Sequence, residues 1–223
     1  VAAQARGIEV RAAIGANAAA VAEQALALLL ACAKSVVELN VRMHAGHWDK
    51  AIHKGIELQG RTVGIVGLGA IGQRFARMCD AIGMNVIGFD PFAKKLPECI
   101  RPVNLEVIWR ESDAISFHCP LTSDNRGILN AQTLAQCKKG VIIVNTARGG
   151  LINESELLAA VQSRHVLAAG LDSFAVEPMN APHIFHNAPH FVLSPHIGGV
   201  TSEAYISMGV GAAKNVLDVL TRQ

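Results

Sequence analysis

One hexapeptide limits the fold of this 223-residue chain more than any other feature. Gly67-Leu68-Gly69-Ala70-Ile71-Gly72 has the G-x-G-x-x-G spacing, directly after the apolar run Thr62 to Val66. It is followed by Ile71, Phe75, Met78, Cys79 and Ile82 at helical intervals, so the glycines sit in a strand-turn-helix context. There the first glycine permits the tight turn, the second lets a pyrophosphate approach the backbone, and the third lets helix and strand pack closely. The helix N-terminus then faces a phosphate.

Beyond Thr62, short runs rich in Val and Ile alternate with helical patterns, which predicts repeated strand-helix units and a parallel sheet. Strands are predicted at Thr62 to Val66, Met84 to Phe89, Ala114 to Phe117, Val141 to Asn145, Ala168 to Leu171 and Phe191 to Leu193, with a weak seventh near Ile100 to Val103. Several runs are apolar without alternation, as strands covered on both faces are. The expected class is α/β with a Rossmann-type doubly wound sheet. Asn153, with Glu156 at the capping-box position, is expected to start one helix, and Thr201 or Ser202 the last. Before Thr62, Gly7 to Val10 reads as a lone strand and about Ala18 to Arg42 as one long helix. A strand without partners cannot stand alone, and the chain opens without methionine, so residues 1–14 read as the tail of another domain in a larger polypeptide.

With 51% hydrophobic and 17% charged residues the chain is too apolar for disorder, and its net charge of +2 supplies no field for nucleic acid. Val21 to Val37 is interrupted by Glu23, Gln24 and Lys34 and reads as a buried helix, with no membrane partner expected. Cys32, Cys79, Cys99, Cys119 and Cys137 are odd in number and without a CxxC pair, which fits reduced thiols in the cytoplasm.

Ligands of open parallel sheets gather beyond the carboxyl ends of the strands. Asp90 ends the second strand eighteen residues after Gly72, placed either to accept hydrogen bonds from adenosine ribose hydroxyls, favouring NAD over NADP, or merely to start a turn before Pro91. His118, Thr146, Arg148, Asp172, Glu177 and His196 follow later strands and are expected to line one rim. Hydride transfer to a carbonyl needs a proton donor, a carboxylate to steady the imidazolium and a cation to hold a substrate carboxylate, roles open to His196, Glu177 and Arg148. His118 lacks a carboxylate nearby in sequence and is expected to shape the cofactor pocket. His44, His47, His53 and His165 read as surface residues. His183, His186 and His190 match no zinc spacing, so no metal is expected.

These residues together resemble the D-isomer-specific 2-hydroxyacid dehydrogenases. The resemblance rests on Val21-Ala22-Glu23, Gly67 to Gly72, Asp90-Pro91, His118-Cys119-Pro120-Leu121-Thr122, Asn145-Thr146-Ala147-Arg148-Gly149-Gly150, Leu171-Asp172-Ser173-Phe174, Glu177-Pro178 and Ser194-Pro195-His196-Ile197-Gly198-Gly199. It implies NAD as cofactor and a catalytic set of Arg148, Glu177 and His196. It further implies cofactor contacts from Gly67, Gly69, Ala70, Ile71, Gly72, Asp90, His118, Cys119, Pro120, Thr146, Ala147, Arg148, Asp172, His196 and Gly198, with Asp172 on the nicotinamide carboxamide. On the same resemblance, residues 1–14 are the remnant of a flavodoxin-like substrate-binding domain, 15–199 the NAD-binding domain with its linking helix at about 18–42, and 200–223 a C-terminal helix returning toward the substrate domain. Within the family the D-3-phosphoglycerate dehydrogenases are most similar, through Thr133 to Gly140 and the run after Arg148. Hydroxypyruvate or glyoxylate reductases and NADH-responsive corepressors are the alternatives. The substrate expected is a small 2-hydroxy or 2-keto acid. A homodimer is expected through the NAD-binding domain, with Leu26 to Leu30 and Trp48 either its contact surface or ordinary core.

Overall fold

All seven strands that the sequence pattern indicates from Thr62 onward enter one sheet in the computed structural model, which describes residues 2–221. In chain order the elements are α1 (Ala2–Ala5), α2 (Ala18–Lys34), α3 (Val36–His44), β1 (Thr62–Val66), α4 (Ala70–Ala81), β2 (Asn85–Phe89), β3 (Ile100–Pro102), α5 (Leu105–Glu111), β4 (Ala114–Phe117), α6 (Ala131–Leu134), β5 (Val141–Asn145), α7 (Glu154–Gln162), β6 (Val166–Leu171), β7 (Phe191–Leu193) and α8 (Ser202–Leu220). The seven strands are parallel in the order β3-β2-β1-β4-β5-β6-β7, the doubly wound pattern. The winding reverses between β1 and β4. A crevice therefore opens beyond their carboxyl ends.

Burial on both faces explains the unbroken apolar runs. In β5, Ile142 and Val144 pack into the core under α2 and α4, while Val141 and Ile143 pack into the second core with α5 and α7. β2 begins at Asn85, one residue later than predicted, because the Met84 amide is spent on the Cys79 carbonyl at the end of α4, with Gly83 at φ 82° making the turn. β6 begins at Val166, earlier than predicted, pairing with Val141 ahead of a register shift.

Several local expectations are corrected. Gly7 to Val10 forms no strand, because this segment pairs with no strand of the sheet. The long helix is two helices meeting at 63°, broken at Ser35, whose φ of 51° turns the chain. The Ile56 amide bonds the Ala33 carbonyl, so a later loop takes over the freed helix end. Within α2, Leu28 and Leu29 are core residues, whereas Ala27 and Leu30 are exposed, so the run Leu26 to Leu30 is part core and part surface. Exposed apolar side chains continue on α3 and after it, at Val36, Val37, Val41, Met43, Trp48 and Ile52. Asn153 caps α7 as expected, but the Glu156 carboxylate bonds the Ala131 amide instead of completing a box, and the capping box belongs to Asn130 and Thr133. Thr201 caps α8. Among the described residues, no single helix is long and apolar enough to cross a membrane.

Candidate active site

The glycine loop sits at the switch point, and at two of its three glycines nothing larger fits. A Cβ on Gly72 would lie 2.0 Å from the Gly67 carbonyl oxygen, and one on Gly67 would lie 2.5 Å from the Cys119 amide nitrogen. Gly67, at φ 97°, thus brings the loops after β1 and β4 into contact. A Cβ on Gly69 would meet open space, so the backbone there is free for a ligand to approach. Asp90 closes the loop from the end of β2, its Oδ2 accepting from the Leu68 amide and its Oδ1 from the Phe92 amide, each at 2.8 Å. One lone pair on each oxygen stays available.

The loops after β4 to β7 meet the start of α8 around a cavity of about 480 Å³, which brings together His118, Cys119, Pro120, Thr146, Ala147, Arg148, Asp172, His196 and Gly198 from the predicted set, with Ile71. Two buried polar atoms of the residues lining this cavity, His118 Nδ1 and Thr146 Oγ1, have no hydrogen-bond partner among the described residues. Such atoms cost free energy unless a ligand or water meets them. His118 is held through Nε2 at 2.9 Å from Ser116 Oγ, and burial pushes its imidazole down to about 3, so the ring is neutral at physiological pH. The glycine cradle, the N-terminus of α4 and these two orphaned atoms together fit a dinucleotide, with Gly67 to Gly72 on the pyrophosphate side.

His196 follows β7 in a left-handed backbone conformation at φ 55°. Its Nδ1 donates to Glu177 Oε2 at 2.7 Å, which leaves Nε2 for a reacting group. Glu177 Oε1 accepts from the Phe174 amide at 2.9 Å. Desolvation is the largest influence on Glu177 and pushes its pKa up, yet the bonds from His196 and Phe174, with the charges of His196 and Arg148, hold it below the ordinary carboxylate value. Arg148 is exposed, its Nη1 bonded to the Ala147 carbonyl, and among the described residues it has no carboxylate partner within ion-pair distance. Asn145 fixes the bend before it, accepting from the Ala147 amide and donating to the Arg148 carbonyl. A cation, an imidazole and a carboxylate thus share the rim.

Asp172 is almost fully buried, and its carboxylate accepts from Ser194 Oγ and the amides of Ile197 and Gly198. Sequence reasoning missed the other wall of the cavity, made by Asn17 and Val21 of the α2 start and by Val200, Tyr205 and Met208. The i, i+3 spacing of Tyr205 and Met208, just beyond Gly199, is the signal that was there to use. His165, expected at the surface, is half-buried with Nε2 bonded to the Leu134 carbonyl. His183 and His190 turn to different carboxylates, Glu154 and Glu38, each at 3.6 Å. A larger groove, about 750 Å³, lies beside the starts of β6 and β7 and holds none of the predicted site residues.

The fold and this rim define a dinucleotide-binding domain of an oxidoreductase. Residues 26–198 match the D-isomer specific 2-hydroxyacid dehydrogenase NAD binding domain, and the chain belongs to that family. It is 42% identical over 217 residues to a hydroxypyruvate reductase of Thermotoga maritima, covering 96% of this chain and 71% of that protein. It is 41% identical over 218 residues to a D-3-phosphoglycerate dehydrogenase of Mycobacterium leprae, covering 96% of this chain but 41% of the relative. A glyoxylate reductase structure from Paecilomyes thermophila superposes with a TM-score of 0.90 at 33% identity, covering 99% of this chain and 68% of that one.

Proposed function

We propose that this chain is the cofactor-binding part of a dehydrogenase that interconverts a D-2-hydroxy acid and its 2-keto acid with NAD. The observation that carries the reading is the bond between His196 and Glu177 on a rim that His196 shares with Arg148, beside the glycine cradle. The nicotinamide, when bound, supplies or takes the hydride. Arg148 binds the substrate carboxylate by two parallel hydrogen bonds and holds C2 in line. His196 Nε2 gives a proton to the carbonyl oxygen as it becomes the hydroxyl, and Glu177 steadies the charge on the ring. With the cofactor bound, Asp90 would accept hydrogen bonds from the ribose hydroxyls, and His118 and Thr146 would offer it the two unpartnered polar groups of the pocket.

Residues 15–199 form the NAD-binding domain in this reading, with 1–14 and α8 belonging to the junction with a substrate-binding domain. Ala204 is the only residue of α8 that is buried, while Ile206, Val210, Val216, Leu217 and Leu220 are exposed, as are Ile8, Val10 and Ile14 near the other end. Apolar surface of that extent supports a covering domain. The exposed face of α3 with Trp48 supports a homodimer. Five free thiols support a cytoplasmic location. The primary reading is D-3-phosphoglycerate oxidation, a step toward serine. A hydroxypyruvate or glyoxylate reductase is the second, favoured by the names of the Thermotoga relative and the Paecilomyes structure.

The test titrates the 223-residue chain with NADH by fluorescence, then adds phosphohydroxypyruvate, hydroxypyruvate or glyoxylate and follows absorbance. Binding without efficient turnover is expected, because Arg148 and His196 face solvent without a closing domain. The polypeptide that includes a substrate domain should turn over one of the three acids. Failure of the folded chain to bind NADH would defeat the proposal.

A further inference from the structure

His196 keeps a backbone conformation that an L side chain adopts only when its surroundings impose it, at φ 55°. What imposes it here is traceable atom by atom. The two amides that follow the histidine, of Ile197 and Gly198, donate to Asp172 Oδ1 and Oδ2 at 2.9 and 2.8 Å. Asp172 Oδ1 also receives the Ser194 hydroxyl at 2.6 Å. A carboxylate only accepts, so the Ser194 proton is committed to Asp172 and the Ser194 oxygen must accept from its other neighbour, Gln24 Nε2, at 2.9 Å. The result is a one-way chain, Gln24 to Ser194 to Asp172, in which each bond polarises the next.

Packing repeats the connection. A Cβ on Gly198 would meet Val21 Cγ1 at 3.6 Å and Gln24 Cβ at 3.7 Å, and one on Gly199 would lie 2.9 Å from Asn17 Nδ2. Residues 17, 21 and 24 form one stripe at helical spacing, and the histidine loop lies flush against it.

We infer that Gln24 and Ser194 are positioning residues for His196, tying helix α2 to the proton-donor loop through the Gln24-Ser194-Asp172 chain. The inference rests on the functional reading above for the role of His196 and for the domain ahead of α2. The loop and the helix then move as one body, so the imidazole keeps its aim when a domain attached at the start of α2 swings.

Two measurements test it. Hydrogen exchange on the chain itself should quicken about tenfold at the Ile197 and Gly198 amides in Gln24→Ala and in Ser194→Ala, with the β1 amides unchanged. The double variant should match Ser194→Ala alone, and Ser194→Thr, which keeps the hydroxyl, should behave like the unaltered chain. In the polypeptide with its substrate domain, kcat should fall about tenfold in both alanine variants while KM and NADH affinity stay within about twofold. Alanine is well tolerated in a helix, so Gln24→Ala keeps the test open should Ser194→Ala fail to fold. Unchanged exchange at Ile197 and Gly198, multiplicative effects in the double variant, or quickened exchange with full kcat would each overturn the inference. Absence of turnover in the unaltered polypeptide would instead defeat the functional reading, and the exchange data would still decide whether the chain of bonds holds the loop.

Discussion

His196 and Glu177 meet at 2.7 Å, Nδ1 to Oε2, although nineteen residues and the whole of β7 separate them in the chain. The contact is an orienting one, because the other carboxylate oxygen is anchored on the Phe174 amide. Replacing Glu177 by Gln should lower kcat by one to two orders of magnitude, about 1.4 kcal/mol per tenfold, with NADH affinity unchanged. The folded carboxylate is held below its ordinary 4.5, so its contribution to stability is present above about that pH and fades as pH falls through the lowered value. The group is partly exposed and screened, which keeps the contribution within about 1 kcal/mol. Thermal melts of both proteins between pH 3 and 7 should show a small gap at neutrality that closes in acid.

Two glycines in one loop should respond to the same change in opposite ways. Gly72→Ala forces a methyl to 2.0 Å from the Gly67 carbonyl oxygen and should cost roughly 3 kcal/mol or more of stability in urea denaturation. Gly69→Ala meets nothing within 4 Å and should fold normally. Its methyl occupies the space through which a pyrophosphate reaches the backbone, so calorimetry should register a loss of NADH affinity of about tenfold or more.

Asp90→Ala should weaken NAD binding and narrow the gap to NADP, since both a ribose acceptor and a charge that repels a 2′-phosphate are removed. The Leu68 amide also loses its partner, so part of the loss, about tenfold, should appear for both cofactors. Unchanged affinities for both would show that this carboxylate does not read the ribose.

His118 should make stability fall on mild acidification. Its folded value is near 3 against an ordinary 6.5, so the unfolded chain takes up the proton first. Stability is therefore unaffected above pH 6.5, drops as pH falls below it, and keeps dropping toward pH 3. Between pH 7 and pH 5 this single group should remove about 2 kcal/mol. A His118→Gln variant should lose correspondingly less over the same interval, as measured by urea midpoints.

Local chemistry determined much of this protein directly from its sequence. The glycine spacing between a strand and a helix dictates the turn, because only a missing Cβ admits the contacts at Gly67 and Gly72. Unalternating runs such as Val141 to Asn145 determine buried parallel strands, and residues following such strands must share one rim. That is why Arg148, Glu177 and His196 were legible as a group. What lay outside the reach of the sequence depends on partners far away in the chain. Ser35 breaks the first long helix where the loop at Ile56 takes the freed carbonyl, and Glu156 leaves its own helix cap for the Ala131 amide. Gln24 and Ser194 sit 170 positions apart, and only the folding of α2 against the end of β7 makes them a pair. Periodicity and capping are set by neighbours within a few residues, whereas these contacts exist only once the sheet and its covering helices have assembled, so tertiary structure alone decided them.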